Sequence, residues 1–341
     1  MLKAAVTIHD VAKAAGVSIG TVSKVLNNQG RFTEETRIRV RQSAESLRFQ
    51  PNALAQSLHQ KRSYTVGLVS RDSFGRFSLP LLEGIENALD PARMAVFVCK
   101  PTDDPVHERR HIESLMAKRV DGLIVTSRRT DKRPPVDLAG TSMPVVYAYA
   151  QPEGSEAVCV LPDDRGGGQL AGQHLLCLGR TALAHVTGPE HFTAVRERRQ
   201  GFEEALREAG RSLDPDWYLS GPWSEAWGHE AVGRLLEHGP RFDAIFCGSD
   251  QIARGVADAL RERGLRVPED VALVGYDNWD IIAAATRPPL TTIDPCLETL
   301  GQQAASCLLA MIAGAEATVP RVIRHPCRLV VRQSCGGEAL L

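Results

Sequence analysis

The chain has 341 residues, 43% of them hydrophobic and 24% charged, a globular composition long enough for two or three folding units. No run of about 18 apolar residues is present, so no membrane span is expected, and Met1 to Asp10 lacks the apolar core of an export signal, so a cytoplasmic location is expected. Forty Lys and Arg nearly balance 41 Asp and Glu, yet residues 1–62 hold ten basic and four acidic side chains, a basic head on an acidic body that suggests a polyanion-binding module joined to something else.

The head reads as short helices. Thr7 and Asp10 have the spacing of a capping box that opens a helix carrying Val11, Ala12 and Ala15. Gly16 ends that helix, and Ser18 caps the next almost at once. Thr33, followed by Glu34 and Glu35, opens a third helix, with Ile38 and Leu47 expected inward and Arg37, Arg39 and Arg41 mostly outward. Two helices joined by the tight turn Ala15-Gly16-Val17 in a basic head fit a helix-turn-helix, whose second helix enters the DNA major groove. Thr21, Ser23 and Lys24 can reach phosphates or base edges, and Ile19 can touch a thymine methyl. Gly20 costs that helix stability, which makes sense where the helix must approach the duplex closely.

Pro51 and Asn52 punctuate the chain before a short segment, Ala53 to His59, and the basic pair Lys61-Arg62. From Tyr64 the pattern changes to β-rich runs separated by helical ones: YTVGLVS, MAVFVC, DGLIVTS, PVVYAY, AVCVLP, TALAHVT, DAIFCG and VALVGY. This alternation predicts parallel α/β sheets with right-handed crossovers. Eight strands are comfortable as two lobes, split near Pro162.

At this point the motifs carry a resemblance. TIHDVAKAAGVSIGTVSKVLNNQGRFTEETRIRV and LRFQPNALAQSL resemble the head of lactose-repressor (LacI/GalR) family regulators. VDGLIV, DDRGGGQLAGQHLL, RRQGF, GSDQIARG and VALVGYDNWDIIAAATRPPLTTI resemble that family's core motifs in order, over residues 6 to 335. The resemblance implies a helix-turn-helix head (1–50), a hinge helix and linker (51–62) and a two-lobed core like periplasmic binding proteins (63–335), with a tail at 336–341. The first lobe is expected at about 63–161 plus 291–321, and the second at about 162–290 plus 322–335.

Carried over residue by residue, the resemblance implies DNA contacts from Thr7, Ser18, Ile19, Gly20, Thr21, Ser23, Lys24 and Asn27. It further implies minor-groove contacts from the hinge residues Asn52, Ala55 and Leu58, the leucine wedging between base pairs. It implies an effector pocket at Phe77, Asp163, Arg198, Trp223, Ser249 and Asp277. A carboxylate, a guanidinium and aromatic faces suit a sugar or sugar derivative, although two aromatics could equally sandwich a purine or nucleoside. Asp277 follows the strand VALVGY, at the end where open α/β sheets bind ligands.

Two enzyme-like motifs are decoys on this reading. HERRH at 107–111 has the spacing of a zinc-binding helix, but no third ligand follows, and its charges read as the solvated face of a helix. GGGQLA at 166–171 matches a dinucleotide fingerprint, but Asp163 and Asp164 would repel a pyrophosphate. Cys99, Cys159, Cys177, Cys247, Cys296, Cys307, Cys327 and Cys335 form no C-x-x-C pair, which suits reduced thiols. The expectation is a non-enzymatic transcriptional regulator without cofactor or metal. It would act as a homodimer on a pseudo-palindromic operator, since only six residues follow Cys335. A free solute-binding protein would explain the core but not the head.

Overall fold

The computed structural model describes residues 6–26, 29–49, 62–72, 75–101, 104–154, 156–237, 242–315 and 318–337. Asn27 and the hinge residues Asn52, Ala55 and Leu58 lie outside them. The chain divides into two compact units, Met1–Tyr64 and Thr65–Leu341. No helix among the described residues is long and apolar enough to cross a membrane.

In the head, α1 (Ile8–Ala15), α2 (Ile19–Leu26) and α3 (Glu34–Ser46) pack around Val11, Ala15, Val22, Val25, Val40 and Ala44. Asp10 accepts the backbone N–H of Thr7 at 2.8 Å and its hydroxyl at 2.7 Å, which opens α1. Gly16 closes α1 in the left-handed region, at φ 64°. Two residues later Ser18 Oγ accepts the Thr21 N–H at 3.1 Å and opens α2. These caps make the turn short. Ile38 is 48% exposed, contrary to the inward placement expected for it. The inward stripe of α3 is Val40 and Ala44, continued by the partly buried Leu47, and Ile38 falls off that stripe.

The larger unit contains two six-stranded sheets and a short ladder. In chain order the strands are β1 (Thr65–Ser70), β2 (Ala95–Cys99), β3 (Gly122–Thr126), β4 (Lys132–Arg133), β5 (Val145–Ala148), β6 (Gln151–Pro152) and β7 (Val158–Pro162). They continue with β8 (Leu183–Thr187), β9 (Tyr218–Ser220), β10 (Ala244–Cys247), β11 (Ala272–Tyr276), β12 (Thr291–Asp294), β13 (Val322–His325) and β14 (Arg328–Val330). The first sheet has the order β13-β7-β5-β3-β1-β2, the second β14-β12-β11-β10-β8-β9, and β4 pairs with β6. Every pairing in the two sheets is parallel except β12 with β14. β1, β3, β5, β7, β8, β10 and β11 are buried along their whole length, as apolar runs covered on both faces must be.

The chain passes between the lobes three times: after β7, between β12 and the helix Leu297–Ile312, and between β13 and β14. The last two passages correct the expected lobe bounds. β12 belongs to the second sheet beside β11, and β13 to the first beside β7. The prolines at 288 and 289 break the chain, but the strand after them still pairs with its predecessor's sheet.

Three helix pairs cover the sheets, and each has glycines at its crossing. A Cβ on Gly201 would lie 1.8 Å from the Arg165 carbonyl oxygen, and one on Gly168 would lie 2.0 Å from that of Arg198. The same reciprocal fit occurs at Gly84 with Gly301 and at Gly228 with Gly255. Of the GGGQLA glycines, Gly168 serves the close contact between the helices Asp164–Cys177 and Thr193–Glu208, while Gly167 lies against Tyr276 and Gly166 against the capping Asp163. Gly201→Ala should force these helices apart and cost about 1–3 kcal/mol of stability by denaturant titration. A variant within about 0.5 kcal/mol of wild type would contradict this packing account.

His185 on β8 is fully buried, stacked on Phe246 with ring centroids 4.7 Å apart. Its Nδ1–H donates to the Phe246 carbonyl at 2.9 Å. Burial lowers its pKa to about 4. A neutral imidazole thus stabilises the fold fully above the ordinary histidine pKa of about 6.5, and this contribution is lost as the pH falls toward 4. The loss amounts to about 3 kcal/mol. His185→Asn should lower stability at neutral pH yet flatten its pH dependence between about 6.5 and 4 in parallel denaturation curves. Equal slopes for the two proteins would contradict this.

Candidate functional site

Between the lobes lies a cavity of about 440 Å³, built at the C-terminal ends of parallel strands. The first lobe contributes Asp72, Arg76 and Phe77 after β1, residues 128–131 after β3, and Tyr149 after β5. From the second come Phe192 and Arg198 after β8, Trp223 after β9, Ser249 after β10, and Asp277 and Trp279 after β11. Of the residues expected from sequence, Phe77, Arg198, Trp223, Ser249 and Asp277 meet here.

Asp163 is not among the lining residues, contrary to expectation. It caps the helix Asp164–Cys177, and its Oδ1 accepts the Gly166 N–H at 3.0 Å. A capping side chain folds back over its own first turn, so the neighbouring carboxylate reaches inward instead. Asp164, 1% exposed, accepts Arg198 Nε–H at 2.7 Å. Arg198 Nη1 donates to the Gly248 carbonyl at 2.7 Å, and the guanidinium lies 3.5 Å from the Tyr276 ring centroid. Burial opposes the Arg198 charge, but Asp164 outweighs it and holds the pKa well above the usual value.

The walls are aromatic. Phe77 stacks on Tyr149 with centroids 5.0 Å apart and planes at 17°. In the second lobe Phe192 and Trp223 lie 6.4 Å apart at 32°. Such faces accept a flat ring or the apolar face of a pyranose.

Polar contacts bridge the lobes. Arg76 Nη2 donates to Asp277, and the same guanidinium sits over the rings of Phe77 and Trp279, at 5.0 and 4.6 Å. Asp131 Oδ1 accepts the Thr193 N–H at 2.7 Å. Arg324 on β13 makes a two-pronged pair with Glu197, at 3.0 and 2.9 Å. Asp277 itself has φ 107°, unusual for a residue with a side chain, and its N–H is held by the Ile293 carbonyl at 2.8 Å. Burial raises the Asp277 pKa, while Arg76 and Arg198 pull against that rise.

Two further groups stand at the start of the helix Asp250–Glu262, beside the cavity. Ser249 Oγ accepts the Ile252 N–H at 3.2 Å as a helix cap, an acceptor role that keeps its O–H as a donor. Asp250, fully buried, accepts the Trp279 N–H at 2.7 Å and the Thr292 hydroxyl. Burial first, and the Asp277 charge second, push its pKa up to about 8. Sequence reading missed Arg76, Tyr149, Phe192, Trp279 and Asp250. Trp279 and Asp250 lie inside the quoted GYDNWD and GSDQIARG motifs, and Tyr149 ends the quoted run PVVYAY.

In the head, Ser18, Ile19, Gly20 and Lys24 are exposed, and Thr21 and Ser23 are half-buried. Thr7 serves the α1 cap and Ser18 the α2 cap. A Cβ on Gly20 would meet only Ser18 Oγ, at 3.8 Å, so packing within the head gives no reason for a glycine there.

HERRH is not the wholly solvated face expected of it. Glu108 is 6% exposed and lies between Arg71 and Arg133. No group of three potential metal ligands occurs among the described residues. All eight cysteines are free thiols.

Comparison with known proteins agrees with this architecture. Residues 7–52 match the model of bacterial regulatory proteins of the lacI family, and residues 63–333 that of periplasmic binding proteins and the sugar binding domain of the LacI family. The HTH-type transcriptional repressor PurR of Aliivibrio fischeri (strain MJ11) is 34% identical over 309 residues, 90% of this chain and 91% of that protein. The ribose operon repressor of Escherichia coli (strain K12) is 33% identical over 308 residues, 90% of this chain and 93% of that protein. Among solved structures, the lac repressor dimer bound to operator and the anti-inducer ONPF has a TM-score of 0.77 at 28% identity, covering 97% of this chain and 99% of that one. The transcriptional regulator CelR–cellobiose complex has a TM-score of 0.67 at 30% identity, covering 96% and 99%. The chain belongs to the LacI family: it is a DNA-binding transcriptional repressor and not an enzyme.

Proposed function

We propose that a small ring-bearing effector, bound in the cleft between the lobes, controls this repressor's hold on its operator. The observation that carries the reading is the convergence of aromatic faces on a buried, hydrogen-bonded Arg198 and on Asp277. A sugar or sugar derivative is supported by that chemistry, by the ribose operon repressor and by the cellobiose complex of CelR. A purine or nucleoside has equal support, from the stacked pair Phe77–Tyr149 and the likeness to PurR.

In this reading α2 enters the major groove, with Ile19 and Lys24 toward base edges and Ser18, Thr21 and Ser23 toward phosphates or bases. Two heads of a homodimer grip a pseudo-palindromic operator, and Asn52, Ala55 and Leu58 contact its minor groove. An effector donor that reaches Asp277 competes with Arg76, whose pair with Asp277 is one of the bridges between the lobes. The effector shifts the population toward the lobe arrangement it favours, so the operator affinity changes, and the operator changes the effector affinity by the same factor.

The test is a thermal-shift and tryptophan-fluorescence screen of sugars, nucleobases and nucleosides. A cleft ligand at a hundredfold excess over its Kd adds about 2.7 kcal/mol of stability. Trp223→Ala should abolish the shift, and Asp277→Asn should weaken effector binding by about 1–3 kcal/mol in calorimetry. Affinity unchanged in both variants would place the effector outside this cleft.

A further inference from the structure

The carboxylates that line the cleft are held in two ways. Asp72 Oδ2 accepts the backbone N–H groups of Phe77 and Ser78 at 2.8 and 3.0 Å, and Asp131 Oδ1 accepts that of Thr193 at 2.7 Å. Backbone donors of this kind are fixed by the fold. Asp277 instead meets the end of a long side chain, the Arg76 guanidinium, which also lies over the Trp279 ring, 4.6 Å from its centroid.

The acceptor side of this pair is anchored without Arg76. The Asp277 N–H is held by the Ile293 carbonyl at 2.8 Å, Asn278 Oδ1 accepts Arg332 Nη2–H at 2.8 Å, and Asp250 accepts the Trp279 N–H at 2.7 Å. Arg76, Phe77, Asp277 and Trp279 line a second hollow as well, of about 640 Å³. Its wall sets Asp280, Asp294 and Glu298 against Arg328, which pairs with Asp294. A guanidinium that leaves Asp277 therefore has an acidic space beside it to enter.

We infer that Arg76 is an internal ligand of the Asp277 subsite, and that the effector displaces it with a planar N–H donor of the same kind: an amidine, a guanidine or an amino-substituted flat ring. A flat, delocalised donor meets a carboxylate in its own plane and an aromatic ring with its face, which a compact ammonium or a hydroxyl does not do. The inference rests on the cleft being the effector site, and adds the chemical class of the group that meets Asp277.

The experiment is calorimetry on the full chain with benzamidine, benzylamine and benzyl alcohol, one ring carrying three different donors. Benzamidine should bind about fivefold or more tightly than either of the others. Arg76→Ala, which removes the competitor, should tighten benzamidine about threefold or more, and Asp277→Asn should weaken it about tenfold or more. Ethylguanidinium, the part of the side chain that Arg76→Ala deletes, should bind that variant about tenfold or more tightly than it binds wild type, and ethylammonium should show a smaller preference. The comparison of the three ring compounds needs only wild type, so a destabilised Arg76→Ala does not remove the test. Equal affinity for all three overturns the planar-donor inference and leaves the cleft reading standing. Benzamidine that responds to neither substitution, or ethylguanidinium that binds Arg76→Ala no better than wild type, overturns the internal-ligand inference. A set in which nothing binds also overturns it, while the screen of sugars, nucleobases and nucleosides judges the cleft reading separately.

Discussion

The core depends on a buried ion pair, Arg198 with Asp164, both nearly inaccessible to solvent. Arg198 rises from the helix Thr193–Glu208, while Asp164 opens the helix that follows the first passage between lobes. The same guanidinium reaches the end of β10 through the Gly248 carbonyl and the end of β11 through the Tyr276 ring. One side chain therefore ties together two helices and two strand ends that form the floor of the cleft. Desolvating such a pair is expensive, and loss of either partner leaves a buried charge at a cost of about 3–5 kcal/mol. The glycine crossing at Gly168 and Gly201 makes the pair possible, because it lets the two helices approach within reach.

On that floor the second lobe presents Asp277 in a strained backbone conformation, and the first lobe answers with Arg76. The Asp131 contact to Thr193 and the Arg324 pair with Glu197 close the other sides. These bridges differ in kind. Arg324–Glu197 is partly exposed and contributes little alone, whereas Arg76–Asp277 is mostly buried and sits where a ligand would go. A cleft closed by its own polar groups can be retuned by a molecule that offers those groups a different partner. In the proposed function this is the physical basis for coupling without a long-range wire.

Much of this was legible in the residues. Seven of the eight apolar runs announced themselves as strands because side chains covered on both faces leave few polar interruptions, and the eighth, β2, is apolar although it lies largely exposed at a sheet edge. β4 and β6, Lys132–Arg133 and Gln151–Pro152, carry no such pattern, and only their tertiary surroundings make them pair. β13 reads as an ordinary mixed-polarity segment, so its return to the first sheet was invisible. Arg198 and Asp277 were found through quoted motifs, whereas Arg76, Tyr149 and Phe192 come from loops whose meeting depends on three chain passages. Asp163 was mistaken for its neighbour's role because two adjacent carboxylates look alike until a helix cap assigns one of them outward. Ile38 shows the same limit in the head, where an apolar residue one position off the buried stripe stays exposed.

The central claim is that the cleft and the head share one free-energy balance. It is tested most directly by measuring the full chain's affinity for a duplex enriched from random sequence, with and without a saturating cleft ligand, by fluorescence anisotropy. The account predicts a change of about fivefold or more, with an equal factor when ligand affinity is measured with and without the duplex. Duplex affinity that stays the same at saturating ligand would contradict it.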